Sequence, residues 1–290
     1  MTALFCFGLG YSALACARLV RFNRGNVAGT VRGADKAAAL RGEGIAASVF
    51  DGTAPGARVA GQLGESDAVL VSIGPDAQGD PVLRHHGGDI ASARPRVIVY
   101  LSTVGVYGNH DGDWVDEETP INPKSARSVA RARTESEWIA FGATQDIPVL
   151  IYRLSGIYGP GRGPLEKLKA GTAQRIVKPG QVFNRIHVAD IVRAVHAGVA
   201  RPRAGIFNIT DNEPAPPQDV VEFAAHLMGV APPPEVNFDT ADLTAMARSF
   251  YGENKRVSGA KAQRMLPYRL KYPTYREGIR ALVEADETST

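Results

Sequence analysis

Short apolar runs alternate along the chain with segments of helical periodicity. The runs contain few charged residues and have the length of strands; they cover residues 3–8, 26–32, 46–51, 68–74 and 96–103. The amphipathic segments 12–22 and 36–44 lie between the first three runs and predict helices. Strands that are apolar throughout are typical of a parallel sheet covered on both faces. The pattern therefore predicts repeated βαβ units and a doubly wound α/β fold.

The second half of the chain is more interrupted. Segments 149–159 and 205–210 are again apolar and predict later strands of the same sheet. Proline and glycine are frequent between and after them, which favours a smaller lobe built from insertions and the C-terminal part. The expected division is a doubly wound core over residues 1–155, rejoined by 184–210, and a small C-terminal lobe over residues 156–183 and 211–290.

Composition narrows the class of protein. The 290 residues are 44% hydrophobic and 22% charged, with a net charge of +3, as expected for a soluble globular chain. The basic residues form no cluster, so a nucleic acid partner is not expected. No apolar stretch is long enough to cross a bilayer, and the start has no basic region of a signal peptide. With Cys6 and Cys16 interpreted as buried thiols, we expect a cytoplasmic protein without a membrane partner.

The first chemical motif is "FCFGLGYSALACA", between a predicted strand and a predicted helix. Gly8 would allow a tight turn, Gly10 would leave room for a pyrophosphate, and Ala13 would let helix and strand pack closely. The free N–H groups at the start of the helix would bind the phosphates. The motif predicts a dinucleotide site, with a plain βα turn as the alternative.

The end of the second strand indicates which dinucleotide. The sequence there is "GTVRG", with Arg32 at the place where an acid would hold the ribose hydroxyls of NAD. An arginine suits the additional phosphate of NADP. NADP is therefore the expected cofactor. NAD stays open as the alternative, because Arg32 can also be a solvated loop residue and Asp35 is close by.

Three further motifs follow the glycine loop: "YLSTVGVYG" (100–108), "YRLSGIYGPGR" (152–162) and "NRIHVADIVRAV" (184–195). In this order they resemble the extended short-chain dehydrogenase/reductases, the nucleoside-diphosphate-sugar epimerase-like proteins. The similarity spans almost the whole chain, including the stretch "GAKAQRMLPYRLKYPTYREGI" near its end. The resemblance implies an NAD(P)-binding Rossmann fold and an oxidoreductase or epimerase.

The resemblance also implies roles for individual residues. Thr103 would hydrogen-bond the reacting oxygen of the substrate. The implied cofactor contacts are Gly8, Gly10, Tyr11 and Ser12 at the pyrophosphate, Arg32 at the adenosine phosphate, Asp51 at the adenine, Ser72, Ile73 and Gly74 on the ribose side, Arg131 at the nicotinamide ribose, and Ser155, Gly156, Ile157 and Tyr158 beside the nicotinamide and the substrate.

The sequence departs from the family at "SARSVARARTESEW" (125–138), where a Tyr-x-x-x-Lys pair is expected. Counting from Tyr107 places Arg127 and Arg131 at these two positions. Arg131 can replace the lysine as a cation and donor. Arg127 cannot replace the tyrosine, because a guanidinium stays protonated. Tyr107 and Tyr158, together with Thr103, are then the hydroxyl groups expected near the cleft.

Three interpretations stay open. The protein is an NADP-dependent oxidoreductase or epimerase with another acid, or a non-catalytic NADP-binding sensor, or a protein whose two arginines bind an anionic substrate. Alternatively, both arginines are solvated helix charges, with Arg131 paired to Glu135.

The remaining expectations concern the lobe and its surroundings. Its basic residues favour an anionic or nucleotide-linked substrate: Arg162, Lys167, Lys169, Arg175, Lys178 and Arg185. A homodimer is implied by the resemblance. No metal site is expected, because His85 and His86 have no further ligands at metal-binding spacing. After "IHV", His187 is expected to be a structural histidine and Asp190 a helix N-cap.

Overall fold

The computed structural model describes residues 2–288. Its strands, in chain order, are β1 (Leu4–Phe7), β2 (Val27–Val31), β3 (Ala46–Val49), β4 (Ala68–Val71), β5 (Val97–Thr103), β6 (Trp114–Val115), β7 (Val149–Leu154), β8 (Gly156–Tyr158), β9 (Arg175–Val177), β10 (Arg185–His187), β11 (Gly205–Ile209), β12 (Glu235–Asn237) and β13 (Arg256–Val257). Its α-helices are α1 (Tyr11–Phe22), α2 (Ala34–Gly42), α3 (Val59–Gly64), α4 (Pro81–Ala93), α5 (Ala126–Gln145), α6 (Pro164–Lys169), α7 (Val188–Ala200), α8 (Pro217–Leu227), α9 (Ala245–Phe250), α10 (Ala260–Met265) and α11 (Tyr275–Glu287). A 3-10 turn, Val104–Tyr107, directly follows β5.

Seven strands form the central sheet, in the order β11-β7-β5-β4-β1-β2-β3, and every pair in it is parallel. From β1 the chain first builds one side of the sheet through β2 and β3. It then crosses to β4 and builds the other side. The strand order therefore reverses between β1 and β4, and in such sheets ligands bind beyond the carboxyl ends of the strands at this point. The predicted doubly wound α/β fold is confirmed.

The core has one layer on each face of the sheet. Leu4 and Cys6 of β1 point into the layer formed with α1, α2 and α7, whereas Phe5 and Phe7 point into the layer that contains Trp138 of α5. Both sets of side chains are buried. Because successive side chains of a strand point to opposite faces, a strand covered on both faces needs apolar residues at every position. This explains the continuous apolar runs of the sequence.

The prediction of a single strand over residues 149–159 is wrong. β7 ends at Leu154, and β8 pairs with β10 in a separate two-stranded sheet. The change of partner occurs at Ser155 and Gly156, whose N–H groups donate to the carbonyls of Ile209 (3.2 Å) and Asn184 (3.0 Å). The chain thereby leaves the central sheet and enters the lobe.

The lobe is held together by a core of its own. Tyr158, Leu165 of α6, Val220 of α8 and Tyr275 of α11 are buried against one another there. Two further strand pairs lie outside the central sheet, β9 with β12 and β6 with β13. In residues 2–288, no helix is both long and apolar enough to span a membrane.

Candidate active site

A glycine turn joins β1 to α1. Gly8 has a φ of +85°, and its N–H donates to Oγ1 of Thr30 at 2.9 Å. A Cβ at Gly8 would lie 2.8 Å from Cγ1 of Ile73. Position 8 therefore requires glycine both for its backbone conformation and for the close approach of the segment that follows β4.

The space above Gly10 is open. Gly10 is the N-cap of α1, and a Cβ there would have only the carbonyl oxygen of Gly8 within 4.0 Å. Within the described residues, no side chain caps the first N–H groups of this helix. Uncapped N–H groups at a helix start, with free space in front of them, suit a phosphate group.

The loop after β8 closes against the start of α1. The hydroxyl of Tyr11 donates to the carbonyl of Pro160 at 2.9 Å, and the guanidinium of Arg162 lies 5.4 Å from the centre of the Tyr11 ring. Ser12 is buried, with 5% of its surface exposed. The structure thus places Tyr11 and Ser12 beside the glycine turn and brings Arg162 to the same edge.

The ends of β2 and β3 carry the residues expected at the adenosine. Arg32 is exposed, and in residues 2–288 it has neither a hydrogen-bond partner nor an ion-pair partner. Asp51 is also exposed, and its Oδ1 accepts from the N–H and the hydroxyl of Thr53 at 2.9 and 2.7 Å. These two hydrogen bonds hold the pKa of Asp51 below its usual value. Arg32 is thus free to bind an anion.

Arg131 lies at the carboxyl ends of β4 and β5. Its Nη1 donates to the hydroxyl of Tyr100 at 2.7 Å and to the carbonyl of Leu101 at 2.9 Å. A Cβ at Gly74 would lie 2.9 Å from its Nη2, so Arg131 reaches from α5 to the segment after β4. It does not pair with Glu135. The alternative of a solvated Arg131–Glu135 pair is therefore wrong.

Glu135 belongs instead to a buried ion pair under the site. Its Oε2 accepts from Nη2 of Arg153 at 2.7 Å, and its Oε1 accepts from the hydroxyl of Ser102 at 2.5 Å. The side chains of Arg153 and Glu135 are 4% and 3% exposed. This pair ties α5 to β7 and β5 from beneath.

Three hydroxyl groups collect at the carboxyl end of β5. Thr103 caps the 3-10 turn, because its Oγ1 accepts from the N–H of Gly105 at 3.1 Å. Ser125, the N-cap of α5, donates its hydroxyl to that of Ser128 at 2.9 Å. A Cβ at Gly105 would lie 3.1 Å from the Ser128 oxygen and 3.4 Å from that of Thr103. Sequence reasoning missed Ser128, although the Ser125 cap pattern was a usable signal.

Arg127 lies one helical turn before Arg131. It is exposed, and its guanidinium carbon is 5.2 Å from the centre of the Phe250 ring on α9. Arg131 contacts the core at the ends of β4 and β5, whereas Arg127 contacts the lobe. At the two positions where the resemblance implies the tyrosine and the lysine, Arg127 thus contacts the lobe and Arg131 the core.

The expectation that Tyr107 and Tyr158 line the cleft is corrected by the structure. Tyr107 has no exposed surface, and its hydroxyl donates to Oδ1 of Asn208 at 2.8 Å. Tyr158 is 5% exposed and lies in the lobe core, with its hydroxyl packed against Gly278 of α11. Burial raises the pKa of both phenols. Both phenol groups are therefore screened from solvent.

Most of the basic residues of the lobe are already bound within it. Arg175 pairs with Glu222 and Glu235, and Lys169 pairs with Asp286. Lys178 donates to the carbonyl of Tyr251, and Arg185 donates to the carbonyls of Phe183 and Ala215. The expected basic set is therefore not gathered around a cleft. Of its members, only Arg162 lies beside the glycine turn.

The start of α7 differs from expectation. His187, not Asp190, is the N-cap, and its Nδ1 accepts from the N–H of Ala189 at 3.1 Å. Burial, together with the charge of Lys271, lowers the pKa of His187 to about 4. Asp190 accepts from the N–H groups of Lys271 and Tyr272 at 2.5 and 3.1 Å. Asp190 therefore attaches α7 to the segment before α11, and the ring centre of His187 lies 4.3 Å from that of Tyr272 in the same segment.

The edge of the lobe beyond β7 and β11 carries buried polar groups. Ser155 is 4% exposed, and among the described residues its hydroxyl has no partner; Gly156 and Ile157 beside it are accessible. Asp211, after β11, is 1% exposed; its Oδ1 accepts from the N–H of Glu213 at 3.2 Å, and its Oδ2 likewise lacks a partner. Burial raises the pKa of Asp211 to about 8. No local sequence signal pointed to Asp211.

Comparison with known proteins relates part of the chain to a family. The model of the NAD dependent epimerase/dehydratase family matches residues 89–210, less than half of the chain. Over 126 residues, 40% of this chain and 37% of the relative, the sequence is 31% identical to dTDP-glucose 4,6-dehydratase of Streptomyces niveus. Residues 89–210 are thus similar to the NAD dependent epimerase/dehydratase family. The resemblance seen in the sequence motifs is thereby confirmed. The chain covers less than two thirds of the length of the curated relatives it matches.

Solved structures of similar proteins cover the full length. A conserved protein from Silicibacter pomeroyi DSS, described as functionally unknown, is 46% identical with a TM-score of 0.89, over 99% of each chain. dTDP-glucose 4,6-dehydratase from Bacillus anthracis str. Ames, solved in complex with NAD, has a TM-score of 0.78 at 17% identity, over 99% of this chain and 97% of that one. At this identity, the second similarity shows the fold alone.

Proposed function

We propose that this protein is a member of the epimerase/dehydratase family that binds NADP(H) and acts as an oxidoreductase or epimerase on a small-molecule substrate, with acid–base groups other than a tyrosine. The observation that carries the proposal is the open, uncapped start of α1 at Gly10 beside the unpartnered Arg32. Bound there, the nicotinamide cofactor would supply hydride transfer.

Each residue expected at the cofactor has a place in this proposal. Arg131 would hold the nicotinamide ribose from α5, and Thr103 would hydrogen-bond the reacting oxygen of the substrate. The other contacts are Gly8, Gly10, Tyr11 and Ser12 at the pyrophosphate, Arg32 at the 2′-phosphate, Asp51 at the adenine, Ser72, Ile73 and Gly74 on the ribose side, and Ser155, Gly156 and Ile157 at the nicotinamide. The support is their common position beyond the carboxyl ends of β1 to β5 and β7.

Titration of NADPH and NADH, followed by nicotinamide fluorescence, tests the cofactor. Arg32→Ala should weaken NADPH binding about ten- to a hundred-fold, the loss of one charge-assisted contact worth about 1.5–3 kcal/mol, and should leave NADH binding unchanged. The matched control is Lys36→Ala, which removes an exposed cation from the first turn of α2. Equal affinities of the wild type for both cofactors would refute the NADP preference, and binding of neither would refute the proposal.

A non-catalytic NADP sensor is the second candidate. The burial of Tyr107 and Tyr158 favours it, because neither of these two phenols is then accessible to replace the missing tyrosine. General acid–base catalysis contributes about 10²- to 10⁴-fold to rates, so a sensor should bind NADPH and show negligible turnover. A panel of UDP-sugars, GDP-sugars and simple ketones separates the two functions. Turnover that is lost in Thr103→Val would establish the enzyme.

Cytoplasmic location and a homodimer are further parts of the proposal. Cys6 and Cys16 are free and buried, which supports a reducing compartment. Val129 and Ile139 are 49% and 44% exposed on α5, the helix through which the resemblance implies dimerisation. Light scattering of the wild type and of Ile139→Glu tests the dimer: a monomeric wild type would refute it.

A further inference from the structure

Arg127 and Arg131 lie one helical turn apart on α5. Four residues along a helix correspond to about 6 Å and return to the same face. Arg131 contacts Leu101 and Gly74 at the end where the proposed function places the nicotinamide ribose. Arg127 lies one turn closer to the lobe and contacts Phe250. A group bound by Arg127 is therefore only a few bonds from a carbon that meets the nicotinamide.

The charge of Arg127 is not compensated within the protein. In residues 2–288, no acid lies within ion-pair distance of it, and the first turn of α5 contains no acidic residue. A cation in the first turn is opposed by the helix macrodipole, and a second cation four residues later adds repulsion. Arg133 on the same helix is different, because its Nε donates to Glu137 at 2.7 Å. Arg127 is thus a cation in the first turn of α5 that has no counter-charge among the described residues.

Phe250 is the aromatic neighbour of Arg127: the guanidinium carbon lies over its ring, 5.2 Å from the ring centre. Within residues 2–288 no hydrogen bond uses the N–H groups of Arg127, so they are available for a forked pair of hydrogen bonds. Carboxylates and phosphates accept such a pair in the plane of the guanidinium. Arg127 is therefore placed to bind an anion between α5 and α9.

We propose that Arg127 is a specificity residue that binds a carboxylate or phosphate of the substrate close to its reacting carbon. This inference rests on the proposed function for the position of the nicotinamide. The substrate class that it names is a small carboxylated or phosphorylated carbonyl compound or alcohol. At the position where the family has its proton donor, this chain has an anion-binding residue instead.

Calorimetric titration of the NADPH-loaded protein with inorganic phosphate and with malonate tests the inference. Saturation with NADPH blocks the competing anion site at the start of α1. Arg127→Gln should weaken binding of the preferred probe at least ten-fold, and Arg127→Lys should weaken it less, because the charge stays but the fork is lost. Phe250→Leu should weaken it a few-fold. The matched control, Arg133→Gln, should bind like the wild type.

The outcomes separate this inference from the proposed function. If the wild type binds one probe more tightly than the other and Arg127→Gln loses this binding, the inference is supported. The preferred probe then shows whether the anionic group is a phosphate or a carboxylate. It is overturned if the wild type binds neither probe, if Arg127→Gln binds like the wild type, or if Arg133→Gln loses as much. NADPH loading is measured first by fluorescence. A protein that does not load refutes the proposed function, and the same titrations of the free wild type and Arg127→Gln still decide the role of Arg127.

Discussion

Asp211 provides a quantitative test of the lobe. Its side chain is buried after β11, and burial raises its pKa from the ordinary 3.8 to about 8. The charged groups that act on it are Arg185, which opposes the rise, and Glu213 and Asp190, which add to it. At pH 7 the folded protein therefore holds a proton on Asp211 that the unfolded chain releases. Asp211→Asn removes this titration and keeps an oxygen that can accept from the N–H of Glu213.

The size of the effect follows from the difference between the two pKa values. Because the pKa is raised on folding, the contribution of Asp211 to stability is fully present below pH 4 and is lost as the pH rises through 8. One pH unit between the two values corresponds to about 1.4 kcal/mol, so at pH 7 the loss is about 4 kcal/mol. The free energy of unfolding of Asp211→Asn, taken relative to that of the wild type, should therefore increase by about 4 kcal/mol between pH 4 and pH 7.

Urea unfolding of both proteins at pH 4, 5, 6, 7 and 8.5 measures this gain. At each pH, the free energy of unfolding of the wild type is subtracted from that of Asp211→Asn, which cancels the titration of all groups that the two proteins share, His187 included. This difference should increase steadily from pH 4 to pH 8 and then level off. A difference that stays constant with pH would show that Asp211 is ionised in the folded protein, and would refute the reasoning from burial.

Three further variants test other parts of the structure. The pKa of His187 is lowered to about 4, so its contribution to stability is present above pH 6.5 and lost as the pH falls through 4. In urea unfolding, the free energy of unfolding of His187→Asn should therefore fall by about 3 kcal/mol less than that of the wild type between pH 7 and pH 4. Glu135→Gln leaves Arg153 buried without its counter-ion and should cost about 3–5 kcal/mol, measured by urea unfolding at pH 7; an unchanged midpoint and slope would contradict the buried ion pair. Gly10→Ala places a methyl group in open space at a φ of −83°, so the free energy of unfolding should change by less than about 1 kcal/mol. Its fluorescence titration with NADPH should nevertheless show at least a ten-fold loss, and unchanged binding would remove the pyrophosphate from this turn.

Much of the central sheet could be predicted because its signal is local. Each strand of the first half is an apolar run bounded by polar or glycine residues, and β2 and β5 begin within one residue of the predicted positions. The break after Leu154 could not be predicted in this way. Residues 149–159 are apolar on both sides of it, and the break is made by hydrogen bonds to Asn184 and Ile209, which are distant in sequence.

The candidate site shows the same division. The turn at Gly8 and the inward position of Arg131 follow from short motifs and from helix periodicity. The burial of Tyr107 and Tyr158 depends on Asn208 and on α11, which no local pattern connects to them. The hydroxyl group of Ser128 lies at the site because α5 packs against the turn at Gly105, which no local pattern indicates. Motifs therefore placed the backbone of the site, and long-range packing decided which side chains reach it.

The ion pair between Arg153 and Glu135 has a consequence for how such a site diverges. It fastens α5 to the sheet two turns beyond Arg127, so the attachment of the helix does not depend on the side chain at position 127. Replacement of that side chain by mutation should then leave the scaffold standing. A residue at this position could thus vary in a lineage without the protein first passing through an unfolded form.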